Sequence, residues 1–187
     1  MKHLLTLLVV TMASAGIFVG ASADQQPRVE KGGTLHLYED VDGGGDTCTI
    51  DILPGKHAYY MGGTNCGQDE ASSYSLEKMS SAVWILFGSE NFSESDGVPR
   101  CPFWTNVRGW RERIKILKNP MPDSPIKSFE DLSKIALNSI IQPGYIRDYS
   151  TNHGGVGYQG KLSCVLTVWC PTSMDQPCDG KPPTTNW

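Results

Sequence analysis

Between Leu35 and Ile52 the sequence reads LHLYEDVDGGGDTCTIDI. Leu35 and Leu37 on one side, and Cys48, Ile50 and Ile52 on the other, alternate with polar neighbours, the period-2 pattern of a half-buried strand. Asp42-Gly43-Gly44-Gly45-Asp46 lies between them, and consecutive glycines supply the positive-φ positions that a folded-over hairpin needs. A hairpin with one apolar face has to be covered by a second layer, which restricts the chain to layered β architectures. Two looser versions follow, at Val83–Cys101 and Gly144–Val168. Each runs apolar strand, polar turn, then a strand carrying a cysteine (Cys48, Cys101, Cys164), which predicts three loose copies of one β-unit.

Residues 1–23 have the build of a secretory signal. Lys2 is the charged region, Leu4–Val19 is largely apolar, and Ala21-Ser22-Ala23 is a small-residue cleavage site. A mature chain beginning at Asp24 would hold 164 residues with a net charge of −5, and the expected location is extracellular. No other run approaches the ~18 apolar residues of a membrane span. The negative charge and the lack of a Lys/Arg cluster argue against nucleic acid as a partner. Arg111, Arg113 and Lys115 alternate with other residues and read as a solvated strand face. All six cysteines, Cys48, Cys66, Cys101, Cys164, Cys170 and Cys178, fall in the mature chain. An even count in an oxidising compartment predicts disulfides with the connectivity left open, and no C-x-x-C pair supports a zinc site.

Further strands are expected at His57–Met61, Ala82–Phe87 and Trp110–Leu117, with Gly62–Ser73 as a loop. Ser128 followed by Asp131 is a weak capping box and predicts a short helix over 128–135. With 20 glycines, 12 prolines and one marginal helix, the expected fold is an all-β sandwich of Greek-key type.

Several of these residues resemble the βγ-crystallin superfamily. Its folded hairpin has the form aromatic, four residues, aromatic, one residue, glycine. Tyr38-Glu39-Asp40-Val41-Asp42-Gly43-Gly44-Gly45 keeps the first aromatic and the final glycine. Phe87-Gly88-Ser89-Glu90-Asn91-Phe92-Ser93-Glu94 keeps both aromatics. The family's second signature is two Asn/Asp, two variable residues, then Ser/Thr-Ser, and Leu76–Ser81 (LEKMSS) keeps its serine pair. The resemblance implies a βγ-crystallin-like domain over 33–139, built from two Greek-key motifs at 33–81 and 82–139. A leader at 24–32 precedes it, and a third degenerate unit with a cysteine-pinned tail occupies 140–187. It also implies that Tyr38, Trp84 and Phe87 are core residues.

Carried over from the resemblance, one weak calcium site would be formed by the Ser80 hydroxyl, the carbonyls of Lys78 and of Glu39 or Gly88, and Glu77. Leu76 stands where the family has an Asn/Asp ligand, so the leading expectation is no cofactor and this site is the alternative. A second calcium reading is the 12-residue run Asp40–Asp51, with acids at positions 1, 3, 7 and 12. His36, His57 and His153 neighbour no nucleophile and no catalytic motif is present, so no enzyme is expected. Asn91-Phe92-Ser93 is an N-glycosylation sequon. The leading expectation is a secreted, non-catalytic βγ-crystallin-like protein with a structural, matrix or binding role, meeting an extracellular partner or itself. The alternative is a secreted defence or effector protein on the same scaffold, an antimicrobial, toxin or protease inhibitor, favoured if a disulfide rigidifies an exposed loop such as Gly62–Glu70.

Overall fold

A computed structural model describes residues 30–67, 70–89 and 109–171. The expected signal, most of the expected leader, Asn91, Cys101 and Cys178 lie outside the described residues. The fold is all-β, two antiparallel sheets facing one another. The four-stranded sheet has the order β2 (Thr47–Asp51), β1 (Thr34–Tyr38), β4 (Ser73–Glu77), β7 (Lys127–Ser128). The six-stranded sheet has the order β3 (Gly55–Tyr60), β10 (Cys164–Trp169), β5 (Val83–Gly88), β6 (Gly109–Ile116), β9 (Tyr145–His153), β8 (Ser139–Gln142).

The connectivity repeats. β1, β2 and β4 share one sheet while β3 crosses to the other and pairs with β10. β5, β6 and β10 share the second sheet while β7 crosses back and pairs with β4. A short helical turn follows each crossing strand: Met61–Gly63 after β3 and α1 (Phe129–Lys134) after β7. The hydrogen bonds at the crossings match in pairs. Ser72 N donates to Tyr38 O (2.8 Å) as Ser163 N donates to Gly88 O (2.9 Å). Phe129 N donates to Ser72 O (3.1 Å) as Met61 N donates to Ser163 O (2.9 Å). The described strands therefore form two interlocked copies of one unit, not three. The hairpin β8–β9 is inserted in the second copy and extends its sheet beyond β6. β9 and β10 do not pair with each other, so Gly144–Val168 is not a third hairpin. β10 lies between β3 and β5, and the boundary expected at 139/140 falls within this one sandwich.

The core follows from strand alternation. Leu35, Leu37, Ile50, Ile52, Tyr74 and Leu76 face inward from the four-stranded sheet. Val83, Ile85, Phe87, Trp110, Ile114, Val165 and Trp169 meet them from the other. Phe129 of α1 plugs the centre, with ring centroids 5.0 Å from Phe87, 5.2 Å from Trp110 and 5.5 Å from Tyr74. Burying such a ring stabilises by about 1.5–3 kcal/mol. Ser128 caps α1 as expected, its hydroxyl accepting from Asp131 N at 3.0 Å. Phe87 is core, as the alternation of β5 requires. Trp84 and Tyr38 are only partly buried, because each has the opposite strand parity. The Lys115 ammonium sits 5.5 Å from the Trp84 ring centroid, and the Tyr38 hydroxyl hydrogen-bonds Ser75 Oγ at 2.9 Å.

The basic face of β6 is less solvated than its alternation suggested. Arg111 is buried, and Arg113 binds Asp148 (2.8 Å) beneath the Tyr149 ring. Behind this face lies a fully buried Glu112. Its carboxylate accepts from Arg147 Nε (2.7 Å) and Nη2 (2.9 Å), from Ser150 Oγ (2.9 Å) and from Tyr158 OH (3.2 Å). Arg147 also donates to Ile135 O at the end of α1. One ion pair thus anchors the inserted hairpin, the helix end and the segment that leads into β10.

Candidate functional site

The hairpin β1–β2 builds the most elaborated loop among the described residues. Glu39 N donates to Asp46 O (2.9 Å) and Asp40 N to Gly44 O (3.1 Å), closing the turn. Asp46 N donates to Glu39 Oε2 (3.1 Å), and Gly44 N to Asp42 Oδ1 (3.2 Å). Gly43 and Gly45 carry φ values of 92° and 69°, the left-handed region that disfavours a side chain. A Cβ at Gly43 would also collide with Ile126.

Ser73 clamps the hairpin, while its neighbour Ser72 ties the start of β4 to the segment that leads into β10. Ser73 Oγ donates to Asp40 O at 2.6 Å. Ser72 is buried, and its Oγ accepts from Gly160 N at 2.8 Å. The Cys48–Cys66 disulfide, Cα–Cα 5.1 Å, ties β2 to the loop after Met61–Gly63. That loop is closed by Thr64, whose N and Oγ1 donate to Met61 O at 3.0 and 2.8 Å while Oγ1 accepts from Cys66 N at 3.1 Å. Gly62, Gly63 and Asn65 stay exposed on this rigid frame. Between hairpin and loop is a cavity of about 40 Å³, lined by Tyr38, Glu39, Asp46, Asn65, Cys66 and Glu70 among others. It has room for water or a single ion, far below the ~300 Å³ at which small-molecule sites begin.

The residues expected to ligate calcium do not come together. Glu77 lies opposite Thr34 and Ser73 opposite Tyr38, so Glu77 and Glu39 sit at opposite ends of the β1–β4 pair, roughly 17 Å apart at ~3.4 Å per residue. Lys78 and Ser80 follow Glu77 at the far end. Lys78, in a left-handed conformation, donates its N to Asp123 Oδ1 at 2.9 Å, and Ser80 N donates to Gly32 O at 2.8 Å. The Glu77 carboxylate is occupied by Lys78 Nζ and His36 Nε2, and these partners, Lys78 first, hold it below the ordinary carboxylate range. Gly88 ends β5, its carbonyl accepting from Ser163 N. Ser80 and Ser81 instead border an open cleft of about 150 Å³ with Glu30, Asn119 and Trp169. The 12-residue calcium loop fails for a related reason. Thr47–Asp51 is strand, and Asp51, at its far end, binds Lys31 and Thr34. No group of three or more His, Cys, Asp or Glu is arranged to hold a metal among the described residues.

The serine whose hydroxyl engages the hairpin is Ser73, at the start of β4. Cys164 and Cys170 are disulfide-bonded as well, and no free cysteine is present among the described residues. His36 is the Glu77 partner already described, and His57 Nε2 is hydrogen-bonded to Pro54 O at 2.8 Å. No described helix is long and apolar enough to cross a membrane. A scan of protein-family models and searches of curated proteins and of solved structures return no match for this chain.

Proposed function

We propose that this chain is a secreted, non-catalytic βγ-crystallin-like protein whose role is structural or binding. The reading rests on one observation, the reciprocal exchange of third strands, β3 to β10 and β7 to β4, with its matched hydrogen bonds. Two strands in one sheet, a third crossing to the other and a fourth returning beside the first is what a Greek-key unit would give, and two such units interlocked would make one sandwich. The Ser73 clamp on the folded hairpin agrees with it.

The disulfide-braced loop Gly62–Gly67 favours a second reading, a protease inhibitor on the same scaffold. A pre-ordered exposed loop binds with little entropic cost. Both readings are tested on protein recovered from the medium of an expressing culture. N-terminal sequencing should begin at Asp24, and retention of 1–23 in a membrane fraction rejects secretion. The same material is then assayed against a panel of secreted serine and cysteine proteases. Stoichiometric inhibition that is lost in Asn65→Pro selects the inhibitor reading. Intact protein with no inhibition leaves the structural or binding role.

A further inference from the structure

Four strands end the two sheets among the described residues: β2, β7, β3 and β8. An edge strand offers backbone N–H and C=O groups to any strand that meets it, and soluble proteins guard such edges with charge or by keeping them short. β2 carries Asp51, β3 carries Lys56 and His57, and β7 is two residues long with Lys127. β8 reads Ser-Ile-Ile-Gln and has no charge. Ile140 on β8 is 69% exposed, the most exposed large apolar side chain among those described, and nearby Leu137 is 50% exposed.

Charge decides what can pair there. In an antiparallel two-fold pairing each strand is present twice at close range, so every charge it carries is brought in twice. β2, β3 and β7 each bring charge to such a contact; β8 brings none. Its outer face also continues inward as a row. Ile140 lies opposite Ile146, Ile146 opposite Lys115, and Lys115 opposite Trp84. Pairing at β8 would add a second Ile140 to an apolar strip already begun by Ile146.

The geometry points to β8 as the contact by which two copies of this chain associate, antiparallel and two-fold, with the Ile140 side chains adjacent on the outer face. The inserted hairpin β8–β9 thereby has a role that neither repeat supplies. The edge is short, and its register shifts between Ile140 and Gln142, so the buried area falls well under the ~800 Å² per partner of a stable complex. Association is weak and concentration-dependent. It stands independently of what the β1–β2 hairpin or the braced loop binds.

Sedimentation velocity of the secreted chain tests it, up to about 1 mM, where even millimolar affinity is visible. Wild type should shift reversibly from monomer to dimer. Ile140→Lys and Ile140→Asp should each remain monomeric at every concentration, with unchanged melting temperatures because the side chain is exposed. An equimolar mixture of the two variants should recover dimer, since opposite charges then face one another. A wild type that stays monomeric at 1 mM or so overturns the inference. So does a dimer that survives both substitutions, or a mixture that behaves as its two components.

Discussion

Replacing Glu112 by alanine is expected to cost about 3–5 kcal/mol of folding stability. The side chain is 0% exposed and accepts from three residues. Truncation leaves the Arg147 guanidinium buried without its counter-charge, and this uncompensated charge, more than the lost attraction, sets the magnitude. The ordering of variants follows from the same reasoning. Arg147→Ala should be similarly severe. Glu112→Ala with Arg147→Ala should cost less than the sum of the two, because neither charge is stranded. Glu112→Leu with Arg147→Met should recover most of the loss. Urea denaturation of the four proteins measures this. A Glu112→Ala cost below about 1 kcal/mol would mean that the carboxylate is not buried against Arg147.

Cys48→Ser is expected to cost about 2–5 kcal/mol. The bond spans a sequence separation of 18 and restrains the unfolded chain by closing that loop. Both sulfurs are buried, so the substitution also leaves a polar hydroxyl in an apolar setting. Cys66→Ser should match it, and the double variant should lose no more than either single, since both remove one bond. The variants should be nicked by added protease near Gly62–Gly67 faster than wild type, because Cys66 anchors that loop. Thermal melts and a proteolysis time course read both effects. Equal stability and equal nicking rates would show that the loop is ordered without the bond.

Local features of the fold were legible because local patterns cause them. Alternation around a glycine turn placed β1 and β2, the apolar run Ala82–Phe87 placed β5, and Ser128 with Asp131 placed α1. β4 was missed because Ser73 and Ser75 alternate with Tyr74 and Leu76, so SYSLE resembles loop, although all four residues are buried. Without β4, nothing in the sequence indicated that Glu77 and Glu39 lie at opposite ends of one strand pair. The pairing of β10 with β3 joins residues more than a hundred positions apart. Periodicity reports which face of a strand is buried, not which strand lies beside it. Glu112 was hidden for the opposite reason: alternating charge on β6 reads as solvated until β9 supplies Arg147.

The exchange of third strands between the two repeats is tested most directly by cross-strand backbone NOEs in the folded protein. They should connect Gly55–Tyr60 with Cys164–Trp169, with Ala58 opposite Leu166, and Tyr74 with Lys127. NOEs that instead join Gly55–Tyr60 to Thr47–Asp51 or Ser73–Glu77 would place β3 within its own repeat and contradict the interlocked pair.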